Sequence, residues 1–361
     1  MAKDVLEYVR PDIRALGGYT TGEQQPGFTK LNTNECAYPP SPAVRRTLAA
    51  VPNEALRLYP DPTSRRLREL AAARYGVPAD GIIVGNGSDD CLTILYRTFL
   101  RPGDRVACPW PSYGLYDTLA ALQGAPLVRV NYRRDHGNDQ RRWDLPVDEL
   151  ASSGARLVLV ANPNNPSSTL TPAAELLALA ERLDGILVVD EAYVDFALPT
   201  DPAASLLSHL AAHPNVVVLR TFSKSYSLAG ARLGLLFAAP PLVAQMNKVK
   251  DSYNVNAMTQ AIGAAALEDT AYHTEMVSRT VLERARLERE LGTFGWTWPA
   301  ARGNFLLVEV GPRARAMLEV LRKEKILVRY WDTPELRECL RITVGTREQN
   351  DALLAVLRSA L

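Results

Sequence analysis

Short apolar runs recur through the first two-thirds of this chain, at 82–84, 105–107, 127–130, 157–161, 186–190 and 216–219, and segments with helical spacing separate most of them. That alternation leaves few architectures open. A strand whose side chains are apolar on both faces must be covered on both faces, and a parallel return between strands needs a crossover, usually a helix. The pattern predicts an α/β fold, with a mainly parallel sheet between helices and a further strand at 233–238.

Beyond residue 240 the texture changes. Two long helices are expected at 255–268 and 272–291, the second carrying the charged run ERARLERE on a solvated face. NFLLVEV, a helix at 313–324, the strands ILVRYW and CLRITVG, and a closing helix then compose a smaller α/β unit. At 361 residues the chain exceeds what one core usually holds. The expected division is an N-terminal arm (1–40) packing with the small domain and a partner subunit, a large domain (41–250) and a small C-terminal domain (251–361).

Charge narrows the partners. With 41 basic against 40 acidic residues the net charge is +1, so no basic field exists to attract nucleic acid or anionic lipid, and small polar metabolites are the expected ligands. The opening MAKDVLEYVRPDIRALGGY is interrupted by charge too often for a signal core or a membrane span, which predicts a cytoplasmic protein. Cys36, Cys91, Cys108 and Cys339 are scattered without a C-x-x-C pair, as expected of reduced thiols. His209 and His213 share i, i+4 spacing but have no third ligand in view, so a solvated helix face is expected there and no metal site.

The chemistry concentrates at strand ends. Only seven of the basic residues are lysines, yet Lys224 stands just after the run 216–219, among small hydroxyl residues in RTFSKSYSLAGARLG. Arginine keeps its proton at any useful pH, whereas a desolvated lysine can lose it and attack a carbonyl. The stretch alone fits a surface-loop lysine equally. GNGSDD, from Gly85 to Asp90, outlines a phosphate cradle at a helix N-terminus, and also what a plain strand-to-helix link needs. Asp190 closes an otherwise apolar run, where a carboxylate is costly to bury unless it meets a cation. NPNNPSS supplies Asn165 at the end of a third strand. In parallel sheets ligands gather beyond the carboxyl ends of strands. An amine for an aldehyde, a carboxylate for a pyridine nitrogen and an anion site are together what pyridoxal phosphate requires.

The segments LNTNE, YPDP, GNGSDD, PSYGLY, NPNNP, VVDEAYVDF, RTFSKSYSLAGARLG and LRITVGT extend this reading. Together they make the chain resemble the fold-type I, class I/II aminotransferases over nearly its whole length, most closely the histidinol-phosphate aminotransferase family. The resemblance implies a fold-type I pyridoxal-phosphate-dependent transferase in which Lys224 is the Schiff-base lysine and Asp190 pairs with the pyridinium nitrogen. It implies that Asn165 and Tyr193 bond the ring 3′-oxygen and that Tyr113, otherwise a core aromatic at a helix start, stacks on the ring. The cofactor phosphate would meet amides at Gly87, Ser88 and Asp89, the hydroxyls of Thr221 and Ser223, and Arg232. Tyr59 of YPDP would reach the neighbouring subunit's cofactor, implying an obligate homodimer. Substrate would be bound by Arg341, Arg329 and Tyr19. The implied reaction moves an amino group between glutamate/2-oxoglutarate and imidazole-acetol phosphate/L-histidinol phosphate. A phosphothreonine-type decarboxylase, an aromatic amino acid aminotransferase and a non-enzymatic regulator of the same fold are the alternatives. NECAYPPSP, GSDD and NPNNPSS stand where the family has NENPYGPSP, GSDE and NPNNPTG.

Overall fold

The computed structural model describes residues 4–18, 21–134 and 142–361. In chain order its strands are β1 (Thr29–Leu31), β2 (Ile82–Gly85), β3 (Val106–Trp110), β4 (Leu127–Asn131), β5 (Arg133–Arg134), β6 (Trp143–Asp144), β7 (Leu157–Ala161), β8 (Ile186–Asp190), β9 (Val216–Thr221), β10 (Gly234–Phe237), β11 (Phe305–Glu309), β12 (Ile326–Val328) and β13 (Cys339–Thr343). Seven of them form one sheet in the order β2-β10-β9-β8-β7-β3-β4.

Within the sheet only β10 runs against its neighbours, β2 and β9. The connection from β9 to β10 holds one short 3-10 turn, Ala229–Ala231, and no crossover helix, so the chain can only double back. This return puts both Lys224 and Arg232 on the sheet edge where the parallel strands end.

Alternate residues of each central strand enter different cores. Val158, Val160, Leu187, Val189, Val216 and Val218 join a cluster on one face. Leu157, Leu159, Val188, Val217 and Leu219 join the cluster on the other. The helix Ala257–Glu268 belongs to the first layer, packing against the helices Pro42–Ala49 and Arg65–Tyr75. A separate core gathers Leu31, Leu287, Leu306, Leu340, Ile342 and Leu353 around the antiparallel pair β11–β13. There β1 pairs in parallel with β12, so residues 29–31 of the N-terminal arm build into the same unit as the C-terminal strands.

Two loops tie the units together. Ser168, in NPNNPSS, adopts φ 67°, the left-handed conformation that glycine takes most easily. Its hydroxyl accepts from the Gly303 N–H at 2.8 Å, and its carbonyl accepts from the Arg302 N–H at 2.7 Å. The turn below the site therefore keeps its path without a glycine.

Gly234 is pinched where β10 begins, paired with Gly85 on one side and Thr221 on the other. A Cβ there would stand 2.5 Å from the Gly87 carbonyl carbon and closer still to the Ser88 nitrogen. Both obstacles are backbone, so Gly234→Ala is expected to cost about 2–3 kcal/mol by displacing the Gly87–Ser88 turn. Urea unfolding measures the loss directly.

Candidate active site

β2, β7, β8 and β9 end on one edge of the sheet, and the side chains just beyond them line a cavity of about 360 Å3. Asp190, Tyr193, Asn165, Lys224, Thr221 and Ser223 line it, as do Tyr113, Ser88, Asp89, Arg232, Arg329 and Arg341. Gly87 stands immediately before Ser88 as the cap of the helix Ser88–Phe99.

Lys224 is enclosed except where it opens onto this cavity, and its Nζ donates to the Thr33 carbonyl at 3.0 Å. Burial, reinforced by the charge of Arg341, lowers the amine to about 8. About a tenth of such an amine is neutral at pH 7, far more than of an exposed lysine. The tyrosine ring of Tyr193 lies 5.6 Å from Nζ, and its hydroxyl accepts from Asn34 Nδ2 at 3.1 Å.

Asp190 is buried at the end of β8. Tyr116 Oη donates to its carboxylate at 3.1 Å and the Ala192 N–H at 3.2 Å. Among the described residues it forms no ion pair, and burial raises its carboxyl to about 6 against the opposing pull of those two bonds. This cavity therefore presents a carboxylate that lacks the cation its burial calls for.

Opposite Asp190, the N-terminus of Ser88–Phe99 offers an anion cradle. Gly87 has φ 86°, and a Cβ there would come within 2.7 Å of Arg232 Nη2, so only glycine allows the guanidinium to lie over the turn. Arg232 bonds Asp89 Oδ2 at 2.9 Å and Ser223 Oγ at 3.4 Å. Tyr113 donates to Asp89 Oδ1 at 3.3 Å and meets Tyr116 edge to face. The Gly87 N–H is turned back to the Gly85 carbonyl at 2.8 Å, so the helix start offers the amides of Ser88 and Asp89, and with nearby hydroxyls and a guanidinium they suit a phosphate.

Across the cavity Arg329 and Arg341 oppose each other in an antiparallel bridge, N–H to carbonyl at 3.0 and 2.8 Å. Directly opposed residues project to the same face, which brings two like charges together. Both guanidiniums lie near the Trp331 ring, at 5.2 and 5.1 Å. Arg341 also donates to Asn165 Oδ1 at 2.5 Å and to the Asn32 carbonyl at 2.7 Å. A second anion is the natural occupant of this end.

Not every expected residue gathers here. Tyr59 is 81% exposed, stacked on Tyr253 with ring centroids 4.4 Å apart, and is absent from the cavity lining. Tyr19 lies outside the described residues. His209 ends the 3-10 turn Leu207–His209, and the His213 N–H closes one further turn on the His209 carbonyl at 3.0 Å, so a single turn joins the two where an α-helix face was expected. Sequence reasoning also passed over Tyr116, Asn34 and Trp331, although the first two sit inside the quoted segments PSYGLY and LNTNE. Asn254, which bonds the Val84 carbonyl and Asp90 and so braces the cradle from behind, had no such signal.

Comparison with known proteins agrees with this geometry. Residues 26–357 match the family described as aminotransferase class I and II. Histidinol-phosphate aminotransferase 1 of Trichormus variabilis is 41% identical, covering 99% of this chain and 100% of that one. Histidinol-phosphate aminotransferase of Syntrophotalea carbinolica is also 41% identical, over 97% of this chain and 98% of its own. The crystal structure of histidinol-phosphate aminotransferase from Sinorhizobium meliloti in complex with pyridoxal-5′-phosphate superposes with a TM-score of 0.87 at 28% identity, covering 97% of this chain and 98% of that one.

The raised Asp190 carboxyl has a thermodynamic signature. An unfolded aspartate titrates near 3.9, so the stability this group contributes is full below about pH 4 and is lost as pH rises through about 6. Asp190→Asn is expected to stabilise the ligand-free protein by about 1–3 kcal/mol near pH 7.5 and to leave it unchanged near pH 3.5. Unfolding curves at the two pH values test the sign.

Proposed function

This chain belongs to the aminotransferase class I and II family, and on that premise we propose that it acts as a histidinol-phosphate aminotransferase. It exchanges an amino group between glutamate/2-oxoglutarate and imidazole-acetol phosphate/L-histidinol phosphate in histidine biosynthesis. The observation that carries the reading is the placement of a lone half-buried amine and an uncompensated carboxylate on one cavity, with an anion cradle at one end and paired arginines at the other.

Pyridoxal 5′-phosphate is the cofactor, and when bound it supplies the electron sink that weakens the C–H bond at the amine-bearing carbon. The donor set fits it. Lys224 would hold its aldehyde, and Asp190 would keep its ring nitrogen protonated, gaining the cation its burial demands. Asn165 and Tyr193 would bond the ring oxygen, Tyr113 would cover the ring, and Ser88, Asp89, Thr221, Ser223 and Arg232 would take the phosphate.

Lys224 then serves the substrate directly. With its pKa near 8, the amine is basic enough to take the proton from the amine-bearing carbon and acidic enough to return it. Arg341 and Arg329 receive a carboxylate of glutamate in one half-reaction and the phosphate of histidinol phosphate in the other. Their shared contact with Trp331 keeps both guanidiniums at the cavity wall. The remaining aromatic lining, Trp110, offers surface for an imidazole. Such a reaction between small water-soluble metabolites suits the cytoplasm.

Two copies would complete the site. Tyr59 stands exposed on a tyrosine stack and does not line its own cavity, a position open to a neighbouring chain. The assembly proposed is a homodimer with shared active sites.

Adding L-histidinol phosphate to the yellow protein without any keto acid should bleach the visible band and release one equivalent of imidazole-acetol phosphate. An unchanged spectrum, with carbon dioxide released from phosphothreonine, would reject the reading in favour of decarboxylation. Dialysed Lys224→Ala protein should lack the band altogether. Co-expression of Lys224→Ala with Tyr59→Ala should regain activity that neither variant shows alone, because one site of the mixed dimer is intact; no recovery would argue against shared sites.

A further inference from the structure

Behind the cavity, and touching none of the groups assigned above, lies a buried cluster of charge. Arg220, on β9, bonds Glu191 Oε2 at 2.8 Å, Asp195 Oδ1 at 2.7 Å and Ser205 Oγ at 3.0 Å. Ser205 donates in turn to Glu191 Oε2 at 2.8 Å, and the Leu206 N–H donates to Glu191 Oε1 at 2.7 Å. Asp195 Oδ2 accepts from Ser225 Oγ at 2.5 Å and stands 3.5 Å from His273 Nε2. Tyr226 stacks on His273 at 4.0 Å, and its hydroxyl accepts from Arg74 Nε at 3.2 Å and lies 3.1 Å from Tyr75 Oη.

Stability is a poor reason for this arrangement. Burying each ion costs several kcal/mol, and well-packed apolar replacements of buried ion pairs are often neutral or stabilising. Burial works against Asp195, yet the Arg220 charge, the nearby His273 ring and the bond from Ser225 outweigh it and hold the carboxyl below the usual range. What the cluster does fix is geometry. Glu191 directly follows Asp190, Ser225 directly follows Lys224, and Arg220 belongs to the strand that delivers Lys224. The two hydroxyls flanking Lys224 are pinned to different charges: Ser223 meets Arg232 in the cradle, while Ser225 is held from behind by Asp195. The backbone of Lys224 is clamped between them.

We propose that Asp195 is a positioning residue for Lys224, acting through the Ser225 hydroxyl, and that with Arg220 it sets the spacing between the Lys224 amine and the Asp190 carboxylate. The proposal rests on the reading that Lys224 holds the cofactor. Misplacing a reacting group by about an ångström costs roughly 100-fold in rate, so Ser225→Ala and Asp195→Asn are each expected to lower kcat by roughly 10- to 100-fold, with KM for glutamate changed less than about twofold.

Cofactor-loaded enzyme carries the test, with glutamate as amino donor. Alongside kcat and KM, the pH midpoint at which the visible band changes is measured, because a displaced amine meets different charges. A lowered kcat with a shifted midpoint in both Ser225→Ala and Asp195→Asn, with Ser225→Thr staying near wild type in both readouts, supports the proposal. A midpoint at the wild-type value overturns it, whatever happens to kcat or to the unfolding temperature, since a merely structural cluster would move only the latter. A Lys224→Ala control that keeps its band would instead reject the lysine assignment itself.

Discussion

A sheet sealed on both faces has one way to offer polar groups to a ligand, which is from the ends of its strands. β7, β8 and β9 send apolar side chains alternately into two cores, and the one guanidinium buried along them, Arg220 near the end of β9, is accommodated only because Glu191 and Asp195 stand beside it. The edge beyond their last residues is the only place where an asparagine, an aspartate and a lysine from three separate strands can face one another at modest cost. The antiparallel return of β10 adds Arg232 to the same edge. The position of the site thus follows from the burial pattern, before any catalytic requirement is considered.

The same edge departs from electrostatic comfort in two directions at once. Lys224 is pushed toward neutrality by burial and Arg341, while Asp190 is pushed toward protonation by burial, reinforced by the charges of Asp89 and Glu191. Two arginines share one wall beside a tryptophan. Each of these is unfavourable in the protein by itself and is relieved by a partner of the right charge: a cation for Asp190 and anions for the cradle and the arginine wall. Stability surrendered at these points becomes affinity for one kind of ligand.

Much of this was legible in the amino-acid order because period and composition are local. LVLVA and ILVVD begin and end as strands where the apolar runs do, and Lys224 and Asp190 stood out as charges placed where burial was expected. What escaped were relations between distant residues. The direction of β10 depends on what the preceding loop omits. The hydrogen bond from Tyr116 to Asp190 joins residues 74 positions apart. The Arg220 cluster draws on three helices and loops whose members, taken singly, read as ordinary surface charges. The i, i+4 histidines are a weaker case of the same kind: their spacing gives a single turn, closed by the His213 N–H on the His209 carbonyl, and no α-helix extends it into a solvated face.

Ser168 deserves a last consequence in terms of sequence drift. Its left-handed backbone costs roughly 1 kcal/mol, and its hydroxyl reaches the N–H of Gly303, where a Cβ would stand only 3.0 Å from Oγ. The two positions therefore constrain each other across 135 residues. A side chain at 303 would crowd both the hydroxyl at 168 and the Phe305 ring, each 3.0 Å away, and the hydroxyl at 168 is an advantage only while 303 stays bare. Homologues descending from this chain would be expected to change the pair together, leaving a correlated signature at two sites that touch neither cofactor nor substrate.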